Sequence, residues 1–93
     1  MLPENRISTH PGEILLEDYL EPMAMAPADF ANRIAVSPAE IEGVVRGTHP
    51  VHPRLAWLFA MALGTTPQFW TNLQSSHDLT KTRPEHTVPR LAG

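Results

Sequence analysis

The chain has 93 residues, a formal net charge of −3, ten prolines and no cysteine. A chain this short makes one small domain with a modest core, often steadied by pairing with a second copy, and without thiols it has neither disulfides nor thiolate metal sites. No apolar run nears the roughly 20 residues of a membrane helix, and residues 1 to 9 are polar with no secretory segment, so a cytoplasmic protein is expected.

Residues 1 to 9 read as a flexible arm, and Pro11-Gly12-Glu13 opens a first helix that runs to about Glu21. Leu15, Leu16, Tyr19 and Leu20 form its buried stripe; Glu13, Glu17, Asp18 and Glu21 occupy the other face. A second helix starts at Pro27, buries Phe30, Ala31 and Ile34, and ends in a tight turn at Ala35-Val36. Ser37 is placed to cap a third helix, with Pro38 at its first position and Glu40 completing a capping box. Ile41, Val44 and Val45 lie on one face of that helix, and Gly47 supplies a left-handed stop.

A loop, residues 48 to 52, leads to a fourth helix from Pro53 to Leu63, stopped by Gly64. Leu55 to Leu63 is an unbroken apolar run. One stripe (Leu55, Phe59, Ala62, Leu63) can face the core, which leaves Trp57, Leu58 and Met61 for another subunit. Thr66-Pro67 starts a fifth helix carrying Phe69, Trp70 and Leu73 and fading near Leu79. Residues 80 to 93, with Pro84 and Pro89, read as a flexible tail. No strand pattern competes, so the fold class is all-α, with the domain spanning 10 to 79.

Two short helices joined by a three- or four-residue turn have the shape of a helix-turn-helix, whose second helix can lie in a DNA major groove. Charge runs against easy nucleic-acid binding. Residues 10 to 79 hold eight acids and only three bases, Arg33, Arg46 and Arg54, so phosphate-driven affinity of a single copy is weak. Those arginines, Thr48, the amides around Gly47 and a protonated His49 are the candidates for phosphate contact. For Arg33 an ion pair with Asp29 is the competing role. Capping competes at Glu40, and a solvated face at Glu42. The five histidines are scattered, and no metal-ligand set, catalytic triad or phosphate-cradling loop is present. Neither an enzyme nor a cofactor is expected.

With these elements placed, the chain resembles the HigA family of antitoxins, also called VapI-like, within the lambda-repressor-like helix-turn-helix proteins. Three blocks carry the resemblance. His10-Pro11-Gly12-Glu13-Ile14-Leu15 with Tyr19-Leu20-Glu21-Pro22 looks like the family's opening. Val36-Ser37-Pro38-Ala39 through Gly47 fills its turn and recognition helix. Ala62 to Gln74, with His77-Asp78-Leu79, resembles its closing signature. The resemblance implies a five-helix domain that dimerises, a HigB-like RNA-cleaving toxin as partner, and autorepression through double-stranded operator DNA.

Carried onto this sequence, the recognition-helix positions are Pro38, Ala39, Glu40, Glu42 and Gly43. With Arg33, Ser37, Arg46, Thr48 and His49 they make the expected DNA surface. Relatives usually place basic or polar residues at several of these points. The acidic face Glu13, Glu17, Asp18 and Glu21 suits a basic toxin. Trp57, Leu58, Met61, Phe69, Trp70 and Leu73 are the expected dimer face. A stand-alone regulator, or an interaction module that has lost DNA binding, would share the same fold.

Overall fold

Proline stands at the first position of every helix, where its missing amide costs nothing. The computed structural model describes residues 7 to 92. Among them, helix α1 (Pro11–Ile14) continues without a break as a π-helical segment (Leu15–Leu20). Helices α2 (Pro27–Arg33), α3 (Pro38–Arg46), α4 (Pro53–Leu63) and α5 (Pro67–Lys81) follow, and no strand occurs among the described residues. The fold is all-α.

The π register has a packing reason. In α geometry, residues five apart lie about 140° apart around the axis, so Leu15 and Leu20 could not share one core. The wider turn, with the Glu21 amide bonded to the Leu16 carbonyl at 2.8 Å, lets both become fully buried. Leu16 and Tyr19 of the expected stripe are half-buried.

Three helix ends use the same stop. In each, a left-handed residue sends its amide three residues back, and the next amide reaches five residues back. At the end of the first helix the left-handed residue is Ala24, with Met25 bonded to Leu20; at the end of α2 it is Ala35, with Val36 bonded to Ala31. At the end of α3 it is Gly47, with Thr48 bonded to Gly43. Only the third uses glycine, so Ala24 and Ala35 each hold a backbone conformation that strains an L side chain.

The core is built from Leu15, Leu20, Phe30, Ala31, Val36, Ile41, Val44, Val51, Leu55, Ala56, Phe59 and Trp70. Trp70 is its largest fully buried side chain. Its ring stands edge-on to Phe59 at 5.1 Å, and its indole N–H donates to Thr65 at 2.7 Å. Trp70 therefore cannot belong to a dimer face, contrary to the sequence expectation. The buried stripe of α4 also differs: Ala56 and Ala60 are buried with Leu55 and Phe59, while Ala62 is exposed and Leu63 half-buried.

The expected limits of 10 and 79 fall inside this packing. Ser8 donates its amide to Thr80 Oγ1 at 2.8 Å, and the Ser8 carbonyl lies 2.7 Å from His77 Nδ1. His77 packs edge-on against His10 at 4.8 Å. Thr80 is buried and α5 reaches Lys81. The remainder of the expected arm, residues 1 to 6, lies outside the described residues.

Candidate nucleic-acid interface

The α2–α3 pair is held by its inner side. Ile41 and Val44 are fully buried, and the start of α1 lies directly over the last turn of α3. The contact there is backbone on backbone: a Cβ at Gly12 would sit 1.7 Å from the Val44 carbonyl oxygen. His10 makes the approach possible. It precedes Pro11, and its Nδ1 accepts the Gly12 amide at 2.9 Å, capping α1. Burial, and then the neighbouring His77, hold the His10 imidazole below its ordinary pKa, so the neutral ring is favoured.

The outer side of α3 is open. Ser37, Pro38, Ala39, Glu42 and Arg46 are exposed, as are Arg33 at the end of α2 and Arg54 in the first turn of α4. Arg33 forms no ion pair with Asp29; the one pair among the described residues joins His52 to Glu40. Arg33, Arg46 and Arg54 are therefore free to meet phosphates. Thr48 and His49 are exposed in the following loop, where Thr48 Oγ1 donates to the Gly43 carbonyl at 3.1 Å.

Three expected features of this surface are arranged differently. Ser37 makes no side-chain cap; its carbonyl accepts the Glu40 amide at 3.0 Å instead. Glu40 closes no capping box and does not point freely outward. It is half-buried, and its Oε2 lies 3.1 Å from His52 Nε2. Gly43 is buried, so it offers no groove contact. The His49 ring covers it, and a Cβ at Gly43 would come within 2.0 Å of His49 Nδ1.

His52 is the residue that sequence reasoning missed. Its Nδ1 accepts the Leu55 amide at 3.3 Å and so caps α4, which leaves the Nε2 proton for Glu40. The only hint in the sequence is its position before Pro53. Gln74 was missed as well: buried in α5, it accepts the Val51 amide at 2.7 Å and donates to Asp78 at 3.0 Å, which pins the loop after α3.

The other two expected surfaces are elsewhere on the domain. Glu13, Glu17, Asp18 and Glu21 are all exposed, and none is ion-paired among the described residues. Trp57 (59 % exposed) and Met61 (70 %) protrude from α4, Phe69 is more modestly exposed, and Leu58 and Leu73 are half-buried. No group of side chains able to hold a metal ion occurs among the described residues. No described helix is long and apolar enough to cross a membrane.

Comparison with known proteins fits this geometry. No protein-family model matches the chain. Virulence-associated protein I of Dichelobacter nodosus is 37 % identical over 70 residues, which cover 75 % of this chain and 65 % of that protein. Antitoxin HigA-1 of Vibrio cholerae is 37 % identical over 75 residues, covering 77 % of this chain and 68 % of the relative. The solved structure of Pseudomonas aeruginosa antitoxin HigA with the higBA promoter superposes with a TM-score of 0.84 at 30 % identity, covering 91 % of this chain and 99 % of that one. A fold and sequence shared over this length with named antitoxins place the chain in the HigA antitoxin family.

Proposed function

We propose that the chain is the antitoxin of a type II toxin–antitoxin pair, which binds operator DNA to repress its own operon and neutralises a HigB-like RNase toxin by contact. It acts by binding, without catalysis or cofactor, in the cytoplasm. The observation that carries this reading is the open outer edge of α3, flanked by three unpaired arginines, in a fold shared with a HigA bound to its promoter. Two copies present two α3 helices to successive turns of the major groove. Pairing also doubles a sparse set of phosphate contacts. The copies meet through Trp57, Met61 and Phe69, with the half-buried Leu58 and Leu73, since exposed aromatic and sulfur-bearing side chains favour an interface.

Titration of the promoter with protein over a range of salt concentrations tests the DNA half. Three arginines per subunit in a dimer lead to a slope of log K against log salt of about −5. A promoter bound no better than unrelated DNA would overturn it. For the toxin half, the unpaired carboxylates Glu13, Glu17, Asp18 and Glu21 support docking of a basic surface. Reversing Glu17 and Asp18 to lysine is expected to weaken toxin binding at low salt by about tenfold or more. An unchanged dissociation constant would remove that surface from the reading.

A further inference from the structure

We propose that Glu42 reads sequence, accepting a hydrogen bond from the N4 amino group of a cytosine in each half of the operator. This rests on the operator-binding reading above and adds which base the helix selects.

The two carboxylates of α3 are treated differently. Glu40 is half-buried and bonded to His52, whose second nitrogen caps α4. It is a strut between two helices. Glu42 is exposed and has neither an ion pair nor a hydrogen bond among the described residues. Arg46 lies four residues on, the spacing at which glutamate and arginine commonly pair on a helix, yet the two do not meet within 4.0 Å. The rotation of α3 is fixed by Ile41 and Val44 in the core and by His49 over Gly43. Glu42 therefore cannot be rolled out of the groove without breaking the inner packing.

A free carboxylate brought among phosphates is repelled unless it meets a donor. Two base edges in the major groove offer one, the N6 amino group of adenine and the N4 amino group of cytosine. Adenine places the N7 acceptor beside its donor, where a carboxylate oxygen is repelled. Cytosine shows the amino group alone on its own edge, which suits an acceptor-only side chain. Two-fold symmetry of the dimer then repeats the cytosine once in each half-site.

The test is selection of duplexes from a random pool by the full chain, by Glu42→Ala and by Glu42→Gln, followed by sequencing of the bound DNA. The wild type is expected to enrich a symmetric motif with a fixed C·G pair in each half. Changing that pair should weaken wild-type binding by about tenfold and Glu42→Ala binding by less than about twofold. Glu42→Gln carries an amide that pairs with adenine N6 and N7, so its preference at the position should move from cytosine to adenine. If all three proteins enrich one motif, Glu42 does not read the base, and operator binding stands without it. If the folded wild type enriches no duplex, both readings fall. Glu42 is exposed, so melting temperatures of the variants should match the wild type within a few degrees.

Discussion

The two sides of α3 obey different rules. Its inner side is closed to the atom: the Val44 carbonyl leaves no room for a Cβ on Gly12, and Ile41 and Val44 are fully buried. Its outer side carries Ala39 and the exposed side chains of Glu42 and Arg46, which make no ion pair among the described residues. The inner side is the packed one, and the outer side is the one proposed above to meet DNA. Openness marks only where a partner can reach, since exposed charges are ordinarily solvated; it is the helix-turn-helix geometry that singles out α3.

The sharpest way to break that division is Gly12→Ala. The added methyl meets backbone, which cannot rotate away, so α1 must lift from α3. We expect a loss of about 3 kcal/mol, read as a lower urea midpoint, with DNA binding falling only as far as the unfolded fraction dictates. Equal stability would show that the inner side is looser than described.

Ala35→Gly works in the opposite direction. Ala35 has φ 58°, a conformation that costs an L residue about 1–2 kcal/mol and glycine little. The variant should gain about 1 kcal/mol, raising Tm by about 4–8 °C in a domain of this size. A lower Tm would mean that the turn between α2 and α3 draws its rigidity from the alanine.

A gentler probe is pH. The folded pKa of His10 is lowered, so near pH 6.5 the unfolded chain binds more protons than the folded one, and stability rises with pH there. The contribution is complete above pH 6.5 and is lost as pH falls through the depressed folded value. His10→Asn keeps a side-chain acceptor for the Gly12 amide without titrating. Urea midpoints of the variant should therefore lose less on acidification than those of the wild type. Parallel losses would place the acid sensitivity elsewhere.

The smallest stability change belongs to the outer side. Glu42→Ala should shift unfolding by less than about 0.5 kcal/mol while altering which duplex is bound. A large stability loss would show Glu42 to be structural and dissolve the distinction between the two sides.

Much of this was legible along the chain. Proline at the start of each helix, Gly47 and Gly64 after two of them, and the apolar spacings of Phe30, Ile41 and Phe59 place the helices without any tertiary information. The exposed edge of α3 follows from the same spacing. Other features were hidden because they depend on contacts between distant residues. Serine three before glutamate is a capping signal, yet Glu40 finds His52 twelve residues on and leaves Ser37 without it. Gly43 looks like a weak spot on a groove-facing helix, but it is the seat of the His49 ring.

Sequence alone determined the all-α class, the helix starts, and the order in which the helix-turn-helix appears, because propensity, capping and periodicity act over a few residues. Tertiary structure decided the π register between Leu15 and Leu20, the burial of Trp70, and the split between Glu40 and Glu42. Each of those depends on what a distant helix presents at the contact, and no local pattern carries that information.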